Sequence, residues 1–364
     1  MMKWHRLTAG IFAVAAMGAV HAQQPAGAPF SIERLDPAID DIFAPNTTIE
    51  TLGDRFALTE GPVWVPDAAA GPDRGYLLFS ENAGNVIYKW QRNQPLSVFL
   101  EKSGFTGADN TKVGSQTVAG HIAIVLIGSN GLALDPQGRL VVTAMNDGTV
   151  YRLEKDGTRT ILAARYDGKK FSGPNDIVIK SDGAIYFTDT PWGLRGAEKD
   201  PNREIPYYGF YLIKDGTVTL LGSDKDAHGG IPNGITLSPD EKYLYVTSGG
   251  RKTMRYDIQA DDTVANGRMF VEHGSDGLRV DTKGNLYSSS GGTPGIIQIT
   301  SPAGKPIGRL HLPQPVGEPR ARVCATNLAF GDADDRGLYI TACTHVFKLR
   351  TKIPGVRPGQ KRAQ

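Results

Sequence analysis

Apolar residues come along this chain in runs of four to six, rich in Val, Ile, Leu, Tyr and Phe, separated by Asp-Gly, Lys-Gly and Pro-Asp turns. Runs of that length, β-branched and bounded by turn residues, predict strands, and no sustained stretch carries a helical period. NGLALD, from Asn130, is followed by LVVTAM, TVYRLEKDG and TRTILAA; NDIVIK, from Asn175, by AIYFTDT, GFYLIKDG and TVTLLG; NGITLS, from Asn233, by YLYVTSG, KTMRYDI and MFVEH. Each group predicts four antiparallel strands, the make-up of one propeller blade.

The first strand of each group repeats a phrase that opens on a polar residue: EGPVWV from Glu60, NGLALD from Asn130, NDIVIK from Asn175, NGITLS from Asn233, DGLRVD from Asp276 and TNLAFG from Thr326. Six such starts predict an all-β chain folded as a six-bladed β-propeller with about four antiparallel strands per blade. The innermost strands of a propeller line its axis, so their first residues gather at one mouth of the channel. Glycine follows four of the six polar residues, which suits close backbone approach there. Spacing between starts is loose, and two polar insertions, 104–121 and 194–206, account for part of it. The first, rich in Gly, sits badly in a sheet and could form a flap near the mouth; the two together could shape a pocket or equally be inert decoration.

The ends of the chain read differently. Residues 1–22 carry Lys3 and Arg6, then an apolar run at 7–20, then VHA before QQPAG. That is the layout of a secretory signal peptide cleaved after Ala22, and it predicts a periplasmic or secreted protein with no membrane attachment in its mature form. Residues 23–54 form an irregular lead-in in which FSIERLDPAIDDIF lays a short strand or helix across the outside; 55–350 form the propeller; 351–364 form a flexible basic tail. Loss of Lys3 and Arg6 lowers the basic residues from 40 to 38, equal to the 38 acidic ones. A mature chain without net charge has no long-range attraction for nucleic acid or anionic membrane. If Leu328 faces Leu338 or Tyr339, the two cysteines, Cys324 and Cys343, fall almost opposite one another, and an exported protein could hold them as a disulfide.

The candidate chemistry lies in the polar starts. Glu60 and Asp276 supply carboxylates, Asn175 and Asn233 neutral carbonyl oxygens. An all-oxygen set suits a hard divalent cation, calcium first, with magnesium, manganese or zinc as alternatives. There is no G-x-S-x-G elbow, dinucleotide fingerprint or H-E-x-x-H pair. Trp64 and Trp192 follow channel-lining positions and could flank a ring, Trp64 equally serving as blade core.

EGPVW at 60–64, GPNDIVIKSDGAIYFTD at 173–189, PNGITLSPDEKYLYV at 232–246 and DGLRVDTKGNLY at 276–287 resemble the SMP-30/gluconolactonase/LRE-like family of six-bladed propellers, over about residues 55–350. The resemblance implies a metal-dependent hydrolase acting on a small-molecule lactone. Carried over by position, it makes Glu60, Asn233 and Asp276 ligands of the metal, Asn175 a fourth residue at the metal and substrate, and Asp276 the general base. It adds Asn130 and Asp189 as substrate-site candidates, with Trp192 a departure from the family pattern beside Asp189. A second departure is Ser172-Gly173 where bacterial gluconolactonases commonly read Asn-Ser before Pro-Asn-Asp, so the pocket wall loses an amide and a hydroxyl. The expected substrate is a small, neutral, hydroxylated lactone. The alternatives are a phosphotriesterase or other ester hydrolase on the same metal site, favoured by an apolar aromatic pocket, and a non-catalytic binding propeller braced by calcium, favoured by a closed one.

Overall fold

The computed structural model of the protein describes residues 27–111, 113–118, 122–317 and 321–359; the expected leader and the first residues of the lead-in lie outside them. Five four-stranded sheets and one five-stranded sheet, all antiparallel, form the six-bladed propeller, and two small two-stranded ladders stand apart from it. Blade 1 runs through Thr59–Pro66, Gly75–Glu81, Val86–Trp90 and Ser97–Glu101. Blade 2 runs through Ser129–Leu134, Leu140–Ala144, Thr149–Leu153 and Arg159–Ala163; blade 3 through Pro174–Ile179, Ile185–Asp189, Gly209–Lys214 and Thr217–Ser223. Blade 4 comprises Pro232–Leu237, Tyr243–Ser248, Lys252–Ile258 and Val264–Val271. Blade 5 is built on Leu278–Val280, Leu286–Ser289, Ile296–Thr300 and Pro306–His311, and blade 6 on Asn327–Gly331, Gly337–Ala342 and His345–Arg350. The inner and second strands are buried almost throughout, because both faces of each blade pack on a neighbour. Aromatic rings fill the wedge between blades: Trp64 stacks on Tyr339 at 5.1 Å, and Phe187 on Tyr211 at 5.3 Å. Trp64 is therefore blade core, away from the cavity described below.

The lead-in belongs to the propeller more fully than its irregular composition suggests. Ser31–Arg34 pairs with Pro306–His311 as the outermost strand of blade 5, and Ile49–Gly53 pairs with His345–Arg350 to complete blade 6. Between them Asp36 caps a short 3-10 helix, Pro37–Asp41, by accepting the Ala38 amide at 2.9 Å, and Ile39, Ile42 and Phe43 enter the core of blades 5 and 6. The propeller thus begins near residue 31, and strands from before blade 1 close the ring.

At the axis the inner strands nearly touch. A Cβ on Gly61 would stand 1.9 Å from the Asn130 carbonyl oxygen, one on Gly131 2.6 Å from that of Asn175, and one on Gly234 2.1 Å from that of Asp276. At these three starts the following glycine is what lets the next blade's polar residue approach, in agreement with its sequence position. A hydroxyl at the end of the second strand then ties the blades together. Ser80 Oγ donates to the Asn130 carbonyl at 2.9 Å, Thr143 Oγ1 to that of Asn175 at 2.5 Å, Thr188 Oγ1 to that of Asn233 at 2.8 Å, and Ser289 Oγ to that of Thr326 at 2.5 Å. Thr326 Oγ1 donates to the Thr59 carbonyl at 2.8 Å and joins blade 6 to blade 1.

The tail departs from expectation. Residues 351–359 are not frayed but cross the end of the channel away from the polar starts: the Val356 amide donates to the Val280 carbonyl at 3.0 Å and the Gly355 amide to that of Asp335 at 2.7 Å. Only a void of about 30 Å³ is left there, lined by Pro62, Trp64, Arg279 and Val356 among others, so a ligand must enter from the opposite end. Cys324 and Cys343 form a disulfide, though on a different register from that expected: Leu328 pairs with Ile340, so the bond lies beyond the last pair of strand residues. The closed loop spans a sequence separation of 19 residues. Replacing both cysteines by serine should lower stability by about 3 kcal/mol, read as a lower denaturant midpoint with an unchanged slope; an unchanged midpoint would show that the loop needs no clasp.

Candidate active site at the channel mouth

A cavity of about 520 Å³ opens at the mouth where the polar starts gather. Glu60, Asn130, Asn175, Asn233 and Asp276 all line it, each from the head of a different blade, together with Thr326 from the sixth. The structure therefore brings together all four proposed metal ligands and two of the three proposed substrate residues, Asn130 and Trp192. Trp192 lines it too, packed beside Leu58, Leu126 and the disulfide. Asp189 does not: it is fully buried and gives one carboxylate oxygen to the Gly173 amide at 2.6 Å and the other to the Ser172 amide at 3.1 Å. It holds the turn that delivers Asn175 and has no surface to offer a substrate. Gly173 is required in that turn, since a Cβ there would meet the Gly193 nitrogen at 2.7 Å and the Thr190 carbonyl oxygen at 2.9 Å.

The two insertions meet over one side of this mouth. The first forms a hairpin, Ser115–Val118 with Ile122–Val125, rather than a strandless flap. Val113 bridges to Leu194 in the second insertion, and the Gly114 amide donates to the Gly193 carbonyl at 3.2 Å. Trp192 and Leu126, which flank these segments, reach the cavity wall.

The electrostatics of the floor favour a cation. Burial lifts Glu60 well above its ordinary 4.5, and the neighbouring Asp276 charge lifts it further. Asp276 is pushed up to about 7 by burial, against the hydrogen bond from Asn233 Nδ2, at 2.9 Å, that favours its charged form. That bond turns the Asn233 Oδ1 away from Asp276, and this oxygen is buried without a partner, as are Asn130 Oδ1 and Asn82 Oδ1. Buried carbonyl oxygens are normally satisfied. Two carboxylates that repel one another beside orphaned amide oxygens form the donor set of a hard divalent ion. Among the described residues no group of three or more His, Cys, Asp or Glu is placed to hold a metal, so a site here has to draw on amide oxygens.

Beneath the floor lie two residues that the sequence reading passed over. Asp176 and Asn327 occupy the places that glycine holds in the other repeats. Asp176 accepts the Ile177 amide at 2.9 Å, the Ile235 amide at 3.1 Å and Asn327 Nδ2 at 3.3 Å, and lies 3.6 Å from the Arg279 guanidinium. Asn327 also hydrogen-bonds Glu60. This plug fills the channel and fixes the carboxylate above it. Its signal was the side chain that replaces glycine in NDIVIK and TNLAFG. Asn82 and Arg322, which line the cavity from outside the repeated phrase, gave no such signal.

Residues 58–344 match the SMP-30/gluconolactonase/LRE-like region. The chain is 30% identical over 342 residues to a gluconolactonase of Zymomonas mobilis, covering 89% of this chain and 87% of that one. A solved gluconolactonase of Xanthomonas campestris superposes with a TM-score of 0.68 at 26% identity, over 91% of this chain and 99% of the other. Regucalcin of Agrobacterium tumefaciens, at 17% identity and a TM-score of 0.61 over 92% of this chain and 98% of its own, shows the same fold.

A carboxyl whose folded pKa lies above its unfolded value contributes stability that is complete below the unfolded value and is lost as the pH rises through the folded one. For Asp276 that window runs from 3.8 to about 7. In metal-free protein, the thermal midpoint of Asp276→Asn should therefore gain on that of the parent as the pH rises across this window. Paired unfolding scans at constant ionic strength check it, and a difference that stays flat or moves the other way contradicts the burial of this charge.

Proposed function

This chain belongs to the SMP-30/gluconolactonase/LRE-like family, and on that premise we propose that it opens a small sugar lactone by metal-assisted hydrolysis. The observation that carries the reading is the cavity floor, where Glu60 and Asp276 stand beside the unpartnered amide oxygens of Asn130 and Asn233. The wall mixes Asn82, Ser275 and Ser290 with Leu58, Leu126, Met145, Trp192 and Ile231; its polar groups suit the hydroxyls of a sugar lactone. The cavity is open and falls in the range of about 300–1,000 Å³ usual for small-molecule sites, which favours a reactive role over a bracing one.

Glu60, Asn175, Asn233 and Asp276 would hold the cation, calcium by preference, since carboxylate and amide oxygens on separate blades suit its flexible coordination. A bound divalent ion supplies polarisation of the lactone carbonyl and acidification of a water. Asp276 is the residue to take or orient the proton of that water as it attacks the carbonyl carbon. The hydrogen bond from Asn233 Nδ2 sets which face of the Asp276 carboxylate remains free. Asn175 steadies the lactone, Asn130 and Asn82 accept from its hydroxyls, and Trp192 offers a flat wall to the ring. The leader-like first 22 residues support an exported enzyme, acting where sugar oxidation products arrive from outside the cell.

The test is a panel of aldonolactones followed by proton release, with spontaneous opening subtracted and the protein dialysed against chelator, then reloaded with calcium, magnesium, manganese or zinc. Activity should vanish on chelation and return on reloading, and Asp276→Asn and Glu60→Gln should each lower kcat/KM by roughly 10²–10⁴-fold. Near-full turnover by metal-loaded Asp276→Asn would remove its proton role. Absence of metal-dependent turnover across the panel, with hydrolysis of an aryl phosphotriester instead, would replace the lactonase reading.

A further inference from the structure

Arg322 is the one charged side chain facing the cavity that the reading above leaves without a task. It is half-buried and, among the described residues, is the sole cation of the lining. Among the described residues it makes no ion pair; its side chain has one long hydrogen bond, from Nε to Thr293 Oγ1 at 3.4 Å, and its charged neighbour is Asp276. Its backbone is fixed on both sides. The Arg322 amide donates to Thr344 Oγ1 at 2.8 Å, and its carbonyl accepts from the Thr344 amide at 3.1 Å and from Thr344 Oγ1 at 2.8 Å. The Cys324–Cys343 disulfide binds the same two segments together. Nothing in this arrangement is needed to stabilise a guanidinium, yet all of it holds one at the cavity wall.

Among the described residues, the charges facing the cavity are two carboxylates and one guanidinium. A divalent cation balances the carboxylates and leaves one positive charge in excess. A neutral sugar lactone would leave that guanidinium unanswered in a partly desolvated site, whereas a carboxylate matches its planar pair of donors and its single charge. We propose that Arg322 is a specificity-determining residue and that the lactones this site favours carry a free carboxylate, as monolactones of aldaric acids do. This rests on the lactonase reading above and revises its neutral substrate. The zero net charge of the mature chain governs long-range attraction, not the local field inside the cavity. A phosphate would bring a second negative charge for which the lining, among the described residues, holds no second cation.

Two measurements on calcium-loaded protein test it. Calorimetric titration compares glucuronate with glucose, rings of the same size that differ in one carboxylate and do not react. Glucuronate should bind about tenfold more tightly or better; Arg322→Gln should bring the two affinities together, and Arg322→Lys should keep part of the gap. Turnover of glucarolactone against gluconolactone should show the same preference, carried by KM and lost in Arg322→Gln. Equal binding of glucuronate and glucose, a preference that survives Arg322→Gln, or tighter binding of glucose 6-phosphate than of glucuronate overturns the proposal. A glucuronate preference that depends on Arg322, in protein that opens no lactone, would uphold the carboxylate site and remove the lactonase reading instead.

Discussion

The close approach of six inner strands around the axis is the constraint from which the site follows. Side chains cannot stand between backbones that come this near, so glycine follows the polar start in four blades, and a Cβ on Gly61 would fall 1.9 Å from the Asn130 carbonyl oxygen. The approach would leave carbonyls buried at the seams, and Ser80, Thr143, Thr188 and Ser289 satisfy them from the neighbouring blade. Each such hydrogen bond is worth only about 0.5–1.5 kcal/mol net. Their consequence is mainly geometric: they fix the carbonyl of the residue whose side chain faces the cavity. Asn130, Asn175 and Asn233 are held in this way by their own main chain, and the side-chain oxygens of Asn130 and Asn233 remain unpartnered.

Much of this was legible in the sequence because the fold repeats. Six phrases with a polar head gave the blade count, and the heads at Glu60, Asn175, Asn233 and Asp276 were correctly placed at one mouth. Asp189 looked like a site residue because it ends a strand in a family motif. Its two backbone amides come from Ser172 and Gly173, a contact made across a turn that no local pattern reveals. The strand expected of FSIERLDPAIDDIF is present on the outside as Ser31–Arg34, whereas the strand Ile49–Gly53 and the ordered tail differ from expectation for a related reason. Ile49–Gly53 and residues 351–359 lie far in sequence from the strands they pair with, and only closure of the ring brings them there. The hydroxyl of the second strand was present in the quoted motifs, as Thr143 in LVVTAM and Thr188 in AIYFTDT, but its partner is on the next blade.

The floor of the cavity is electrostatically strained. Glu60 and Asp276 raise one another's cost of ionisation, burial adds to it, and Asn233 gives its only nearby donor to Asp276. Such a cluster is expensive to keep charged without a counter-ion, which is the physical reason to read it as a cation site rather than as a packing feature. Arg322 stands to one side, near Asp276 but unpaired with it, so the site divides into a metal-binding floor and a cationic wall.

A crystal structure of the calcium-loaded protein tests the central claim most directly. The account predicts one ion at the channel mouth, coordinated at about 2.3–2.6 Å by oxygens of Glu60, Asn175, Asn233 and Asp276, with open positions facing the cavity. An empty mouth with the ion bound elsewhere, or an ion enclosed by protein ligands on every side, would contradict it.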